Sequence, residues 1–483
     1  MRLNRLATPI SVFVSTLFAA PLAYATNGMN LDAYGALAGG MGGAAYAHDS
    51  SNSAIMSNPA TLGLKQDNSN NLGIGITLLM PDVSSSHPMT GESASSGNLY
   101  LMPSMSFIKR AGNWVFGAGV LAQGGMGTEY GAGSNLFAGG QSMMGTAAPM
   151  SGEDIRSEVG VGRLMFPVTY KVTEAISVAA QVDYVWATMD VKMDIDGNTF
   201  SQMLQPNATV GSASGSLVNT LGGMIQAGQI SNVNYARYEF SDNNDFSGAA
   251  KGQGFAGKLG FHFKVSENFM VGATYHTKTY LDDLDATNAK VQMGVVMGGQ
   301  TMTVPVTGKI SVLNFQWPET YGFGVSWKPT NDLMLVSDIK FLRWASAMKD
   351  FSMRFTADGA QGNPMAQGLV SGGGTELTST LHQNWENQTV IMVGGQYMVL
   401  PGVALRLGYN YADNPVPNST LNPLFPAIEK SHYTMGFGWR INQANSLAAS
   451  LTIAPEVEAT NPNTGITSYH SQSVFRANYN YTF

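Results

Sequence analysis

The chain has 483 residues, a formal net charge of −7, only 12 % charged residues, 56 glycines and no cysteine. The missing cysteines exclude disulfides, thiolate metal sites and a cysteine nucleophile. The acidic balance, with no basic tract, argues against nucleic acid as a partner. Mean hydropathy is near zero, so the apolar residues are dispersed. Beyond the N-terminus no apolar run approaches the roughly 20 residues of a membrane helix.

Residues 1–25 read as a secretory signal. Arg2 and Arg5 precede an apolar stretch around Ile10 to Ala20, and Ala23-Tyr24-Ala25 supplies a cleavage site. Residues 26–66 are not strand-like. Small residues dominate Gly35 to Ala47, Asp49 to Ser53 offer a cap for a short helical turn, and Asn58-Pro59-Ala60 is a turn signal. Such a segment ahead of a sheet is either a leader or a plug. Small residues pack tightly in a lumen, which favours the plug, a hatch over 26–66.

From residue 67 onward the pattern alternates with period two. Leu72, Ile74, Ile76 and Leu78 oppose Gly73, Gly75 and Thr77; Tyr433, Met435, Phe437 and Trp439 oppose Gly436, Gly438 and Arg440. The chain ends on FRANYNYTF, whose odd positions from Phe475 to Phe483 are apolar and mostly aromatic. Its even positions, led by Arg476, are polar. Apolar faces rich in aromatics, opposite faces carrying cations, and linkers that alternate short and long are the pattern of a membrane β-barrel. The strands expected are 70–80, 98–109, 113–123, 157–171, 175–193, 247–265, 268–284, 306–328, 332–347, 386–399, 402–412, 430–441, 445–456 and 470–483. The expectation is an all-β membrane protein over 67–483: a fourteen-stranded antiparallel transmembrane β-barrel, plugged by its N-terminal hatch. Parity slips within 306–328, around Pro318, which places a bulge near Asn314 to Pro318. Ser216 to Ile230 carries Leu217, Leu221, Met224 and Ile225 at helical spacing.

Chemistry-bearing motifs are sparse. His48-Asp49-Ser50 has triad residue types, but neighbours in sequence do not assemble a triad among themselves. His262 and His276 lie on polar strand faces, as lumen lining rather than metal ligands. Neither a HExxH pair, a Walker loop nor a dinucleotide fingerprint occurs. No enzymatic activity, cofactor or metal is expected.

Several segments converge on one resemblance. The start of the mature chain, TNGMNLDAYGALAGGMGGAAYAHDSSNSAIMSNPATLG, resembles the hatch of the FadL family, including its TodX-like aromatic-hydrocarbon channels. Leu313 to Glu319 is similar to that family's LxxPE segment, and Asp413-Asn414-Pro415-Val416-Pro417 to its DxPVP motif. The resemblance implies passive uptake of hydrophobic compounds, long-chain fatty acids or related lipids and hydrocarbons, across the bacterial outer membrane. Capture at outer loops, transfer to a pocket near the hatch and lateral release through the wall are implied with it. It implies a pocket at Thr26, Asn27 and Gly28, a hatch motif at Asn58, Pro59 and Ala60, and a kinked third strand at Gly124-Gly125. Lys349, near the Trp344 strand end, and Arg163 are candidate carboxylate partners; a lumen ion pair is the alternative for either. Implied partners are the hydrophobic cargo, outer-membrane lipids and, during insertion, the barrel-assembly machinery; a monomer is expected. Two other functions stay open: a general porin for hydrophilic solutes, and an outer-membrane lipid hydrolase.

Overall fold

The computed structural model describes residues 26–244 and 247–483; the signal expected at 1–25 lies outside them. Alternation builds a closed antiparallel wall. It starts at Asn70–His87, which pairs with Tyr100–Ala111. The circuit continues through Trp114–Tyr130, Ile155–Lys171, Ile176–Asp196 and Ala250–Lys264. Phe269–His276, Thr320–Trp327, Leu333–Leu342 and Gln388–Leu400 follow. Val403–Ala412, Ser431–Arg440 and Asn445–Thr460 lead to Thr467–Thr482. That strand returns to the first, from Thr467↔Ser86 to Thr482↔Asn71. Phe483 N–H donates to Asn70 O at 2.9 Å and Asn70 N–H to Phe483 O at 2.8 Å, so the last residue seals the first strand. This seam pairs the first strand with the last, which matters in lipid, where each lone backbone group costs several kcal/mol.

The terminal strand sorts its faces as expected: Phe475 is 37 % and Phe483 58 % exposed, whereas Arg476 is fully buried. Arg406 is likewise buried while Leu405 and Leu407 face outward. A cation at the lipid midplane costs about 2–4 kcal/mol, so these point inward.

The count of fourteen strands needs correction, because the barrel's sheet holds more strands than the circuit just traced. The wall is part of a single sheet of 24 strands. The segment read as one strand over 306–328 is two, Gln300–Leu313 and Thr320–Trp327, with different neighbours. Between them Asn314 takes a positive φ of 53°. The Gln316 side chain replaces the ladder, donating to Leu281 O and accepting from Leu281 N–H, both at 2.9 Å. Stretches read as loops hold the strands Asn232–Phe240, Leu284–Met297, Asp350–Ala357 and Glu376–His382. These extend the sheet beyond the wall through the pairs Val191↔Phe240 and Gly308↔Ala357, among others. They escaped the alternation reading because neither face meets lipid. In the first of them the six residues from Val233 to Tyr238 are buried in succession, and Arg237 is held by Asp194 at 2.9 Å and Glu239 at 3.3 Å.

Residues 26–66 pack against inward-facing wall side chains. The Asp338 carboxylate accepts Ala45 N–H at 2.6 Å and Tyr46 N–H at 2.9 Å. Thr434 Oγ1 accepts Gly42 N–H at 2.8 Å, and Asp32 pairs with Arg476. The small residues are needed for this fit. A Cβ on Gly42 would lie 2.5 Å from Tyr409 O, and one on Gly40 2.8 Å from Gly436 Cα. The expected helical turn is a 3-10 turn, Ser51–Ile55, entered where Asp49 accepts Ser51 N–H at 2.8 Å.

Candidate functional site

The N-terminus of the hatch opens as a small hairpin. Thr26 and Asn27 pair with Leu31 and Asn30, and Gly28 takes the positive φ of 64° that the turn requires. This hairpin leans on the wall where the Trp114–Tyr130 strand is distorted. Asn30 pairs with Gly124, Gly125 N–H donates to Met29 O at 3.0 Å, and the ladder to Ile155–Lys171 shifts register between Ala122 and Gly124. Glycine is required at both positions: a Cβ on Gly124 would stand 2.1 Å from Met29 O, and one on Gly125 2.3 Å from Val159 O.

Against the hairpin stands a chain of three buried indoles. Trp317 and Trp344 meet edge-to-face with centroids 5.5 Å apart, and Trp344 and Trp385 at 5.2 Å. A Cβ on Gly28 would touch the Trp344 ring at 3.1–3.3 Å. Trp317 Nε1 donates to Asn30 Oδ1 at 3.2 Å, and Trp344 Nε1 to Gln388 Oε1 at 3.3 Å. Thus the hairpin of Asn27 and Gly28 sits between Trp344, which Gly28 faces, and Gly124-Gly125, which Asn30 and Met29 meet. Trp317 and Trp385 were not foreseen as members. Trp317 lies inside the quoted LNFQWPE segment, where it was read only as a motif; Trp385 sits in a polar loop stretch that gives little signal.

Arg163 is fully buried and committed: Nη1 donates to Asp183 Oδ2 and Nε to Gln123 Oε1, each at 2.6 Å. Gln123 is the residue at the register shift, and its backbone oxygen lies 2.9 Å from the Tyr34 hydroxyl. Burial pushes the Tyr34 phenol well above its usual range. Arg163 therefore braces the distorted strand. Lys349 is exposed, whereas Met348 beside it is buried in the aromatic cluster. Asn58-Pro59-Ala60 ties the hatch to the wall. Asn58 Oδ1 caps Ala60 N–H at 3.1 Å, its Nδ2 donates to Tyr46 O at 2.7 Å and Phe261 O at 3.0 Å, and Thr169 Oγ1 donates to Pro59 O at 2.8 Å.

The wall itself is parted next to this site. The strands Tyr100–Ala111 and Trp114–Tyr130 pair from Ala111↔Trp114 up to Met105↔Val120 and no further. Beyond that, Tyr100–Ser104 pair only with Leu79–Gly75, and Leu121–Tyr130 with Arg163–Ile155. The two flanks rejoin where Ser96 N–H donates to Glu129 O at 2.8 Å and Glu129 N–H to Ser95 Oγ at 2.9 Å. The result is a window bordered by the hatch hairpin.

Two larger cavities lie at opposite ends. Below the hatch, one of about 1080 Å³ is lined by polar and apolar surface in equal measure, with Asn52, Lys65 and Arg406 beside Leu64, Met270 and Trp439. His48 also lines it, and burial lowers its pKa to about 4. Among the outer segments, one of about 350 Å³ is lined by Met143, Leu204, Val218, Leu221 and Ile225. Its helix, Ser216–Gln226, is the one anticipated from spacing, and it buries Leu217 and Leu221.

Residues 16–483 match the family model described as outer membrane protein transport protein (OMPP1/FadL/TodX). The chain belongs to this family. It is an outer-membrane β-barrel transport protein and not an enzyme. Among solved structures it is similar to the Pseudomonas putida toluene transporter TodX. Identity is 25 %, with 94 % of this chain and 99 % of that chain covered and a TM-score of 0.77. It is also similar to the Ralstonia pickettii toluene transporter TbuX, with 26 % identity, the same coverage and a TM-score of 0.72. A Pseudomonas aeruginosa FadL homologue, 13 % identical with a TM-score of 0.63 over 94 % of this chain and 99 % of that one, shares the fold. A Chlorobium limicola protein, described as uncharacterized and encoded in the phosphoenolpyruvate carboxykinase gene 5′ region, is 49 % identical over 74 residues. That match spans 15 % of this chain and 36 % of the relative.

Proposed function

We propose that this protein carries small, neutral hydrophobic molecules, monoaromatic hydrocarbons foremost, passively across the outer membrane. The cargo is captured in the outer groove of Val218, Leu221 and Ile225, held beside Asn27, Gly28 and the three indoles, and released sideways through the window in the wall. Uptake of hydrophobic compounds agrees with the family and with the toluene transporters named above. The observation that carries the route is the window itself, flanked by Gly124-Gly125 and touched by the hatch hairpin.

A neutral cargo is favoured over a fatty acid because, of the two cations expected to meet a carboxylate, one is engaged and the other is solvent-exposed. Arg163 is held by Asp183 and Gln123, and the Lys349 side chain is exposed. A general porin fits less well, since residues 26–66 are pinned inside the wall by Asp338, Thr434 and Arg476. The test is uptake of radiolabelled toluene and oleate by cells whose only channel of this type is the protein, alongside conductance of the purified barrel. Toluene uptake with low ion conductance supports the proposal. High conductance with hydrophilic-solute flux, or oleate uptake without toluene uptake, overturns it.

A further inference from the structure

The window is not open. Along Tyr100–Ala111 the lipid face is Leu101, Met105 and Phe107, all exposed, so Tyr100 projects to the lumen side by alternation. There its ring packs with the cluster of Leu31, Leu79, Ala454 and Val474. Its hydroxyl reaches across to the opposite flank. A Cβ on Gly127 would lie 2.4 Å from Tyr100 Oη and 3.1 Å from its Cζ, and one on Gly97 2.6 Å from Oη. The phenol tip therefore occupies a notch that exists because residues 97 and 127 lack side chains. A cavity of about 20 Å³ remains beside it, lined by Tyr100, Met126, Gly127, Pro426 and His470.

We propose that Tyr100 is the gate and width filter of this exit, an inference that rests on lateral release through the window. The ring shuts the window from within, seated in the Gly97–Gly127 notch. It turns on two side-chain torsions to let a flat molecule pass, and side-chain turns of this kind are fast relative to transport. Because the opening is the space one phenol ring vacates, single-ring hydrocarbons pass readily and bulkier, branched or fused molecules slowly. Tyr100 sets the release rate and the size limit, while the indole site sets affinity.

The experiment compares Tyr100→Ala, Tyr100→Phe and Gly127→Val, each checked for heat-modifiable barrel. Gly127→Val leaves Tyr100 in place and fills its notch. Affinity for toluene is read from quenching of tryptophan fluorescence, and uptake is measured for toluene and for a bulkier fused-ring hydrocarbon. Expected are unchanged affinity in all three, near-normal uptake for Tyr100→Phe, and a gain of about tenfold in fused-ring uptake for Tyr100→Ala and Gly127→Val. The chain has no native cysteine, so Leu101→Cys with Ala122→Cys can be bridged across the window by a bifunctional thiol reagent and released with reductant. If the bridge stops uptake reversibly but Tyr100→Ala and Gly127→Val keep the parent rate and size limit, the gate is refuted and the lateral route stands. If bridging leaves uptake intact, the lateral route falls and the gate with it.

Discussion

Replacing Asp338 by alanine tests whether the hatch is held as a unit inside the wall. One carboxylate oxygen receives two hatch amides, Ala45 N–H at 2.6 Å and Tyr46 N–H at 2.9 Å, in a fully enclosed setting. Each is a buried hydrogen bond whose loss strands an amide at about 1–3 kcal/mol, and such pairs are not additive. Truncation to alanine leaves both amides buried and unpaired. Opening of this part of the hatch should become easier by about 3 kcal/mol, which is somewhat more than a hundredfold in the opening equilibrium. Asp338→Asn retains an acceptor without the charge and should recover about half of that loss. Hydrogen exchange of the purified protein, read at Ala45 and Tyr46, measures the effect; wall amides such as those of Val403–Ala412 serve as the internal control. Planar-bilayer recordings should show more frequent open events in the same order, alanine above asparagine above parent. Unchanged exchange at Ala45 and Tyr46 in a correctly assembled Asp338→Ala barrel would refute the anchoring argument. A uniform rise over wall and hatch alike would refute it too, because Asp338 would then support the wall.

Lys349→Met should leave toluene affinity unchanged by calorimetry or fluorescence, since the lysine is exposed to solvent; a tenfold loss of oleate affinity alone would restore the carboxylate role. Gly124→Val should cut uptake without blocking assembly, because even its Cβ stands 2.1 Å from Met29 O and must displace the hatch hairpin. Deleting Phe475 to Phe483 should abolish heat-modifiable barrel in outer-membrane fractions, as it opens the seam with Leu72 to Leu78. His48 is neutral in the folded hatch, its pKa lowered to about 4 chiefly by burial, with Asp49 opposing. Unfolded, it titrates at about 6.5, so the unfolded state binds more protons between the two values. Hatch protection in hydrogen exchange should therefore fall as pH drops from 6.5 toward 4, and His48→Gln should flatten that slope.

The wall was legible because lipid on one side and the hatch on the other impose period-two patterning, as in Tyr433 to Trp439 against Gly436 to Arg440. The hatch was legible for a different reason: its small residues meet wall backbone directly, as Gly42 does at Tyr409 O. Patterning failed where the sheet leaves the bilayer. In Asn232–Phe240 the charges of Arg237 and Glu239 are satisfied by Asp194 and Lys290 at 2.9 Å each, so polar residues sit in a strand buried on both faces. It failed again at 306–328, where the Gln316 side chain stands in for backbone pairing. The site was legible in part. Glycines announced the close approaches at 28, 124 and 125, but the indole of Trp385 comes from a loop whose position only the fold determines.

The arrangement also constrains how tightly the cargo can be held. On the proposed route, passive transport ends in a lipid phase that is as apolar as any protein pocket, so net movement through the window requires that the inner site not bind much more tightly than the membrane does. Three indole faces and edges supply apolar area at about 25 cal/mol per Å², which lipid can match. An ion pair at the same place would add about 1.5–3 kcal/mol that lipid cannot repay, and would slow release by one to two decades. Binding the guanidinium of Arg163 to Asp183 and Gln123 removes that trap while bracing the strand that borders the window. The same residue choice thus serves wall geometry and weak holding. Asp183→Asn should reveal both at once: it frees part of the Arg163 charge, so oleate should bind more tightly and leave more slowly, while toluene affinity stays put. If oleate release is unaltered in that variant, Arg163 is a brace alone and the low affinity of the site has another origin.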